Sequence, residues 1–367
     1  MDEINESNSQ SNEIIINEET PQQASLNESV LGSISLLESE LSCLYTSVGM
    51  RDVSNLSLIE LRGSDSLDFL HRISTNSVKQ IVKGETAKTI FCTEKGRIID
   101  TAVVINLEDY QLLISSQEHQ EKMLIWLNKY VISDDVKLAN INGKYTLLEV
   151  LGPQADSFMT LINGNIVNNI APNTIKIMNT EGIIFFLMKH YDPNGQLIYW
   201  ILADPSYAQK LIRYMVENKG PFDFNLIGDE AYNHYRIENG LPAAPNEIND
   251  LYNPFEANLM NLVSTNKGCY IGQEVVARLE TYDKVQRSYC GFVFASPVEP
   301  EEKFIMFDDN NTEAGKITSV CYSYKFKKYL GVGVVKRNYF QDGIVLSAKS
   351  SSGNSIQVSV KKLPFRK

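Results

Sequence analysis

The sequence predicts an α+β chain with antiparallel sheets, followed by a separate all-β barrel. Two observations carry that class. Short strand-like and helix-like pieces alternate from residue 46 to about 220, and from about Tyr289 strand-like runs follow one another between Gly, Asp, Asn or Pro clusters with no helical pattern. A third sets the starting point: residues 1–27 are rich in Asn, Gln, Ser and Glu and too polar to offset the entropy of ordering. The expected organisation is therefore a disordered acidic tail over 1–27, an α+β region of two intertwined subdomains over 28–287 and a β-barrel over 288–367.

In chain order, Val30, Ile34, Leu37, Leu41 and Leu44 recur at three- and four-residue steps, the mark of an amphipathic helix ending near Tyr45. LSLIELRG (56–63) reads as a strand, and SDSLDFLHRI (64–73) as a helix opened by Ser64 and Asp65. The stretch from Glu85 to Ser116 reads as a strand meander with turns at Glu94-Lys95-Gly96 and Glu108-Asp109. Helical spacing covers 117–132 and 206–220, and strands fit 145–152, 182–190 and 197–203. In the last third, CGFVFAS, KFIMF, AGKITSVCYS, YLGVGVVK, IVLSA and SIQVSVKKL supply the barrel strands.

Composition narrows the function. The chain has 367 residues and a net charge of -11, but nine carboxylates and no Lys or Arg fall within residues 1–50, so the body is close to neutral. Gripping a nucleic-acid backbone needs a surplus of cations, and direct nucleic-acid binding is not expected. The apolar runs, such as Ile183 to Met188, are far short of a membrane span, so no membrane partner is expected. The N-terminus has neither the basic start of a signal peptide nor the Arg-rich character of a transit peptide, and the expected location is cytoplasmic. Five widely spaced cysteines, with no C-x-x-C, point to reduced thiols and to no metal site within this chain alone.

The chemistry concentrates between Tyr235 and Arg287. Lys267-Gly268-Cys269-Tyr270 places a thiol beside a permissive glycine, a nearby cation and an aromatic ring, and Ile271-Gly272-Gln273-Glu274 leads into a helix, VVARLETY. A helix start and a Lys both favour thiolate, which would make Cys269 reactive. Gln273 and Glu274 have the donors and acceptors to pair with a planar heterocycle. Residue types alone leave a second reading open, since a lone intracellular Cys is commonly a small buried hydrophobe. His71, His119, His190 and His234 lie in separate segments, so no Cys–His pair is assigned, and each is expected to be a surface or packing residue.

KGCYIGQE (267–274) resembles the signature of the YgfZ family of folate-binding Fe–S-cluster assembly or repair proteins. That family is related to the aminomethyltransferase (T-protein) of the glycine cleavage system. The resemblance extends through SVGMRDVSNLSLIELRGSDSLDFLHRISTNSVKQIVKGE, TIFCTEKGRIIDTAVV, LEVLGPQA, IGDEAYNHYRIENGLP and AGKITSV, nearly everything from about Leu26 onward.

It implies a three-part ring or cloverleaf with a central channel for tetrahydrofolate. The pterin-binding carboxylate of an R-x-E-x-G segment falls on Glu238, with Arg236 beside it, and Tyr270, Gln273 and Glu274 join the folate contacts. Asp100 stands where the transferases carry a catalytic acid, followed by Thr101 where a second acid is common. Cys269, with Lys267, becomes the functional thiol. The implied function is a tetrahydrofolate-binding accessory protein that serves Fe–S proteins or their assembly factors. An aminomethyltransferase acting on an aminomethyl-lipoyl carrier is the alternative, and a scaffold without ligand is the third reading.

Overall fold

The structure, a computed structural model, describes residues 35–365. The acidic tail expected over 1–27 lies outside the described residues. Helix α1, described over 35–46, puts Leu37, Leu41 and Leu44 into the core as its spacing predicts.

Two sheets follow, one inserted into the other along the chain. Strand β1 (Val48–Asp52) begins a six-stranded sheet, and the chain then leaves to build a five-stranded one. The strands of that second sheet are β2 (Ser57–Arg62), β3 (Thr86–Cys92), β4 (Ile98–Asn106), β5 (Gln111–Ser115) and β6 (Lys137–Asn140), in the order β3-β4-β5-β2-β6. Helices α2 (Ser66–Ile73) and α3 (Gln120–Tyr130) fall between them in the chain. The first sheet resumes with β7 (Thr146–Leu151), β8 (Thr174–Thr180), β9 (Ile183–Tyr191), β10 (Leu197–Ala203) and β11 (Phe224–Leu226), giving the order β11-β1-β7-β10-β9-β8. Helices α4 (Ala155–Asn163) and α5 (Ala208–Glu217) accompany it. Among the described residues of this sheet, β1 and β11 pair in parallel and the other ladders are antiparallel.

Strand β7 shows why its sequence, TLLEVL, lacks a plain alternation: all six residues are buried. Leu148 and Val150 pack with Phe158 of α4, while Leu147 and Leu151 turn to the opposite face and join Ile114 of β5 and the leucines of α1. Glu149 lies on that second face, among apolar neighbours, and marks where the core between the sheets is interrupted by charge.

Helix α6 (Asp229–Glu238) leads out of the two-sheet region and rests on the barrel. Residues 239–272 carry no regular element beyond one 3₁₀ turn at Met260–Leu262, helix α7 spans Gln273–Thr281, and the barrel closes over β12 (Arg287–Phe294), β13 (Phe304–Phe307), β14 (Glu313–Ser323), β15 (Lys328–Lys336), β16 (Val345–Ser350) and β17 (Ser355–Lys361). Its strand order is β12-β15-β14-β13-β16-β17, around Phe292, Phe304, Met306 and Val335. The expected α+β class with a C-terminal barrel is the observed fold.

The differences have local causes. Strands β1, β6, β8 and β11 and helices α4 and α6 are additions to the sequence reading. The β8 sequence, TIKIMNT, alternates only weakly, and DEAYNHYRIE of α6 is too polar to show an apolar face. That polarity is absorbed by pairing: Arg236 is buried against Glu247 at 3.1 Å and against Ser319 Oγ at 2.9 Å, and Glu247 accepts from Thr318 and Ser319 of the barrel. Asp65 does precede α2, but its side chain does not cap the helix; it accepts from the backbone N–H of Asp135 at 2.8 Å.

Candidate functional site

The core between the two sheets contains a cavity of about 320 Å³, inside the usual range of about 300–1,000 Å³ for small-molecule sites. Its wall draws Arg51 from β1, Lys88 from β3, Asp100 and Thr101 from β4, Glu149 from β7, His190 from β9 and Trp200 from β10. Tyr232 of α6 contributes, and the irregular 239–272 segment adds Leu241, Ile248, Leu259 and Leu262. Long irregular segments in compact domains commonly serve a site, and here one closes it.

The polar wall is incompletely satisfied. Glu149 Oε1 accepts from Trp200 Nε1 at 2.9 Å, whereas Oε2 is enclosed and has no hydrogen bond; Arg51 lies 3.5 Å from it as an ion pair only. The Arg51 guanidinium stacks over the Tyr232 ring at 3.4 Å from its centroid, and its Nε is also enclosed and unpaired. His190 packs edge-on against Trp200, and neither ring nitrogen has a partner. Burial holds that imidazole well below its ordinary pKa, so it is neutral at pH 7. Burial also lowers the Lys88 ammonium to about 8 and raises the carboxyl of Asp192, which accepts from the N–H groups of Asn194 and Gln196. Buried polar groups ordinarily find partners, so this concentration of unpaired atoms around one cavity marks a place built to receive a polar molecule.

Asp100 is fully buried in the same wall. The β3–β4 ladder slips beside it, with Phe91 facing Asp100 and Cys92 facing Ile98, and such bulges re-aim a side chain. Its Oδ1 accepts from the Thr101 N–H at 2.8 Å, and its Oδ2 from the Ser116 N–H at 3.0 Å and the Ser116 hydroxyl at 2.5 Å.

The residues expected to bind a pterin are elsewhere. Glu238 does not line the cavity: it is buried at the end of α6, where it accepts from the hydroxyl of Tyr45. Arg236 is occupied by Glu247 and the barrel, as described above, so the R-x-E pair joins α6 to its surroundings. Glu274 is exposed and pairs with Arg278 one helical turn on, at 2.8 Å, and Gln273 begins α7 without lining the cavity. Tyr270 is buried, which pushes its hydroxyl up to about 12, and it too lies outside the cavity wall.

The KGCYIGQE segment has its own architecture. Lys267 turns away from the thiol question altogether: its Nζ donates to the carbonyls of His71, Ser74 and Asn76, the last at 2.9 Å, holding the C-terminal end of α2. Burial lowers its amine to about 8. Gly268 meets no other atoms where a side chain would stand, so the close approach expected of it is absent. Gly272 is the glycine that the fold requires, with φ +84° and the carbonyl oxygen of Thr93 2.5 Å from where a Cβ would lie. The segment thus docks on the β3–β4 turn. Cys269 is exposed, whereas Cys43, Cys92, Cys290 and Cys321 are buried. Burial raises all four of those thiols, Cys92 to about 12. Cys269 does not line the cavity.

Sequence reasoning missed Arg51, Lys88, Glu149, His190 and Tyr232. Glu149, in the otherwise apolar TLLEVL, was the available signal. His119 and His190, expected as surface or packing residues, are both buried beside the cavity's polar groups. Among the described residues no group of three or more His, Cys, Asp or Glu is placed to hold a metal ion.

The family model for the GCVT N-terminal domain matches residues 32–267, and that for the glycine cleavage T-protein C-terminal barrel domain matches residues 287–367. An Arabidopsis thaliana chloroplastic protein named as a candidate transferase is 26% identical over 332 residues, covering 86% of this chain and 70% of its own length. Aminomethyltransferases of Chloroherpeton thalassium and Bacillus licheniformis are 23% and 24% identical, covering 89% and 91% of both chains respectively. The crystal structure of glycine cleavage system aminomethyltransferase T from Bartonella henselae superposes with a TM-score of 0.75 at 21% identity, over 90% of this chain and 89% of that one, and shares the fold.

Proposed function

The chain belongs to the GCVT family, and from that premise we propose that it binds a reduced folate, tetrahydrofolate or a derivative, in the cavity between its two sheets. The unpaired Glu149 Oε2 carries this reading. A carboxylate oxygen enclosed in a small-molecule cavity, with Arg51 and Tyr232 beside it, fits the N–H-rich pyrimidinone edge of a pterin. Arg51, Glu149, His190 and Trp200 would hold the ring. Lys88 is the cation available to the anionic tail, and Asp100 with Ser116 presents acceptors to the ligand's nitrogens. Reduced folate supplies the capacity to carry a one-carbon unit; the chain's part is to orient it and exclude water.

The finer reading assigns the protein to maintenance of Fe–S proteins in the cytoplasm, with Cys269 as its working thiol and Fe–S proteins or assembly factors as partners. The KGCYIGQE segment and the exposure of Cys269 support it. An exposed thiol away from the cavity can meet a partner protein while folate stays bound. Aminomethyl transfer is the second reading, favoured by near-full-length similarity to aminomethyltransferases and by Asp100 in the cavity wall. No described helix is long and apolar enough to cross a membrane.

The test is calorimetric titration with tetrahydrofolate. Glu149→Gln should weaken binding by about 1–3 kcal/mol, the range for one partner of a charge-assisted hydrogen bond. Equal affinity of the variant and the natural protein would contradict the assignment. An assay with a lipoylated carrier separates the two finer readings: turnover supports transfer, while its absence, together with lost Fe–S enzyme activity in cells carrying Cys269→Ala, supports maintenance.

A further inference from the structure

Asp100 has a neighbour that neither the fold nor the cavity explains. His119, which closes a 3₁₀ turn at Gln117–His119 just before α3, places Nδ1 3.6 Å from Asp100 Oδ1. That nitrogen is enclosed and has no hydrogen-bond partner, so Asp100 is the acceptor at hand. A few tenths of an ångström of closure makes an N–H···O bond. The imidazole side chain keeps 9% exposure, while Asp100 has none. The carboxylate therefore has three donors from Thr101 and Ser116 but no cation of its own unless His119 carries one.

We propose that His119 is a positioning residue for Asp100: the two form a buried carboxylate–imidazole pair that fixes Asp100 in the cavity wall. In the neutral state the Nδ1–H of His119 donates to Asp100, leaving one negative charge at the wall. Asp250 also lies near His119, and its carboxylate is engaged by Lys122 of α3 at 2.9 Å. A ligand that donates N–H to Ser116 or Asp100 then meets a carboxylate already held in place, and binds more tightly for it. Only this last consequence rests on the folate reading.

Nitrogen-15 NMR of the full chain tests the pair without any ligand. The neutral ring should be the Nδ1–H tautomer, and in Asp100→Asn, where the acceptor loses its charge, that preference should weaken. An Nε2–H tautomer in the natural protein, or an unchanged preference in a folded D100N protein, would overturn the proposal. If D100N does not fold, the tautomer in the natural protein decides.

Tetrahydrofolate titrations add the functional arm. His119→Gln keeps a donor, so it should stay within about threefold of the natural affinity, whereas His119→Phe should lose about tenfold. Equal affinity of H119F and the natural protein would also overturn the proposal. Failure of the natural protein to bind any reduced folate would instead count against the proposed ligand, with the NMR result still deciding the pair.

Discussion

Cys269 stands in solvent while Cys43, Cys92, Cys290 and Cys321 are buried, three of them with thiols pushed far above the ordinary range by desolvation. Because the thiolate is the nucleophile, brief alkylation at pH 7.5 should label Cys269 alone, read by peptide mass spectrometry. Comparable labelling of the other four would contradict the burial described. The selectivity comes from exposure, since the Lys267 ammonium is spent on three backbone carbonyls.

Lys88 makes a second prediction at this scale. Its amine, lowered to about 8 by burial, is charged below that pH and neutral above it. Affinity for an anionic folate should fall as pH rises from 7 to 9, and Lys88→Met should flatten the curve over that interval. A natural protein whose affinity stays constant would show that Lys88 does not meet the ligand.

At the scale of elements, the glycine of GQE earns its place by shape. Gly272 sits in the left-handed region, with the Thr93 carbonyl where a Cβ would go, and lets α7 settle on the β3–β4 turn. Gly272→Ala should cost about 1–3 kcal/mol of stability, measured by denaturant unfolding. Gly268→Ala, where the space is open, should cost far less. A reversed order would refute the docking.

The sequence pattern exposed this segment as important but could not say for what. Spacing within KGCYIGQE is local, while the partners of Lys267 and Gly272 lie near residues 71–76 and 93–96. The same limit hid the cavity. Long apolar runs such as LIYWILA and GIIFFLM declared their strands because burial on both faces leaves a strong trace. Arg51, Glu149 and His190 come together only when the sheet ladders bring β1, β7, β9 and β10 side by side. Glu238 shows the same limit from the other side: its neighbourhood matches a familiar segment, while the partner of its carboxylate, the hydroxyl of Tyr45 of α1, lies far away in the sequence.

Across the whole molecule, α6 and the segment after it bind the two-sheet region to the barrel through Arg236, Glu247, Thr318 and Ser319. Arg236 and Glu247 are both almost wholly enclosed, and removing one partner leaves a buried charge uncompensated. Glu247→Ala should therefore cost about 3–5 kcal/mol in denaturant unfolding, well beyond a surface pair. A change below 1 kcal/mol would show that the junction does not rely on this pair.

The cavity lies between sheets from the two intertwined parts of the chain and is closed by the segment that leads to the barrel. A ligand enclosed there touches every part but the barrel itself. The most direct measurement is a crystal structure of the protein soaked with tetrahydrofolate. The account predicts the pterin ring enclosed among Arg51, Glu149, Trp200 and Tyr232, its pyrimidinone edge on the Glu149 carboxylate. A ring seated instead against Glu238 or the Cys269 loop, with the space beside Glu149 unfilled, would contradict it.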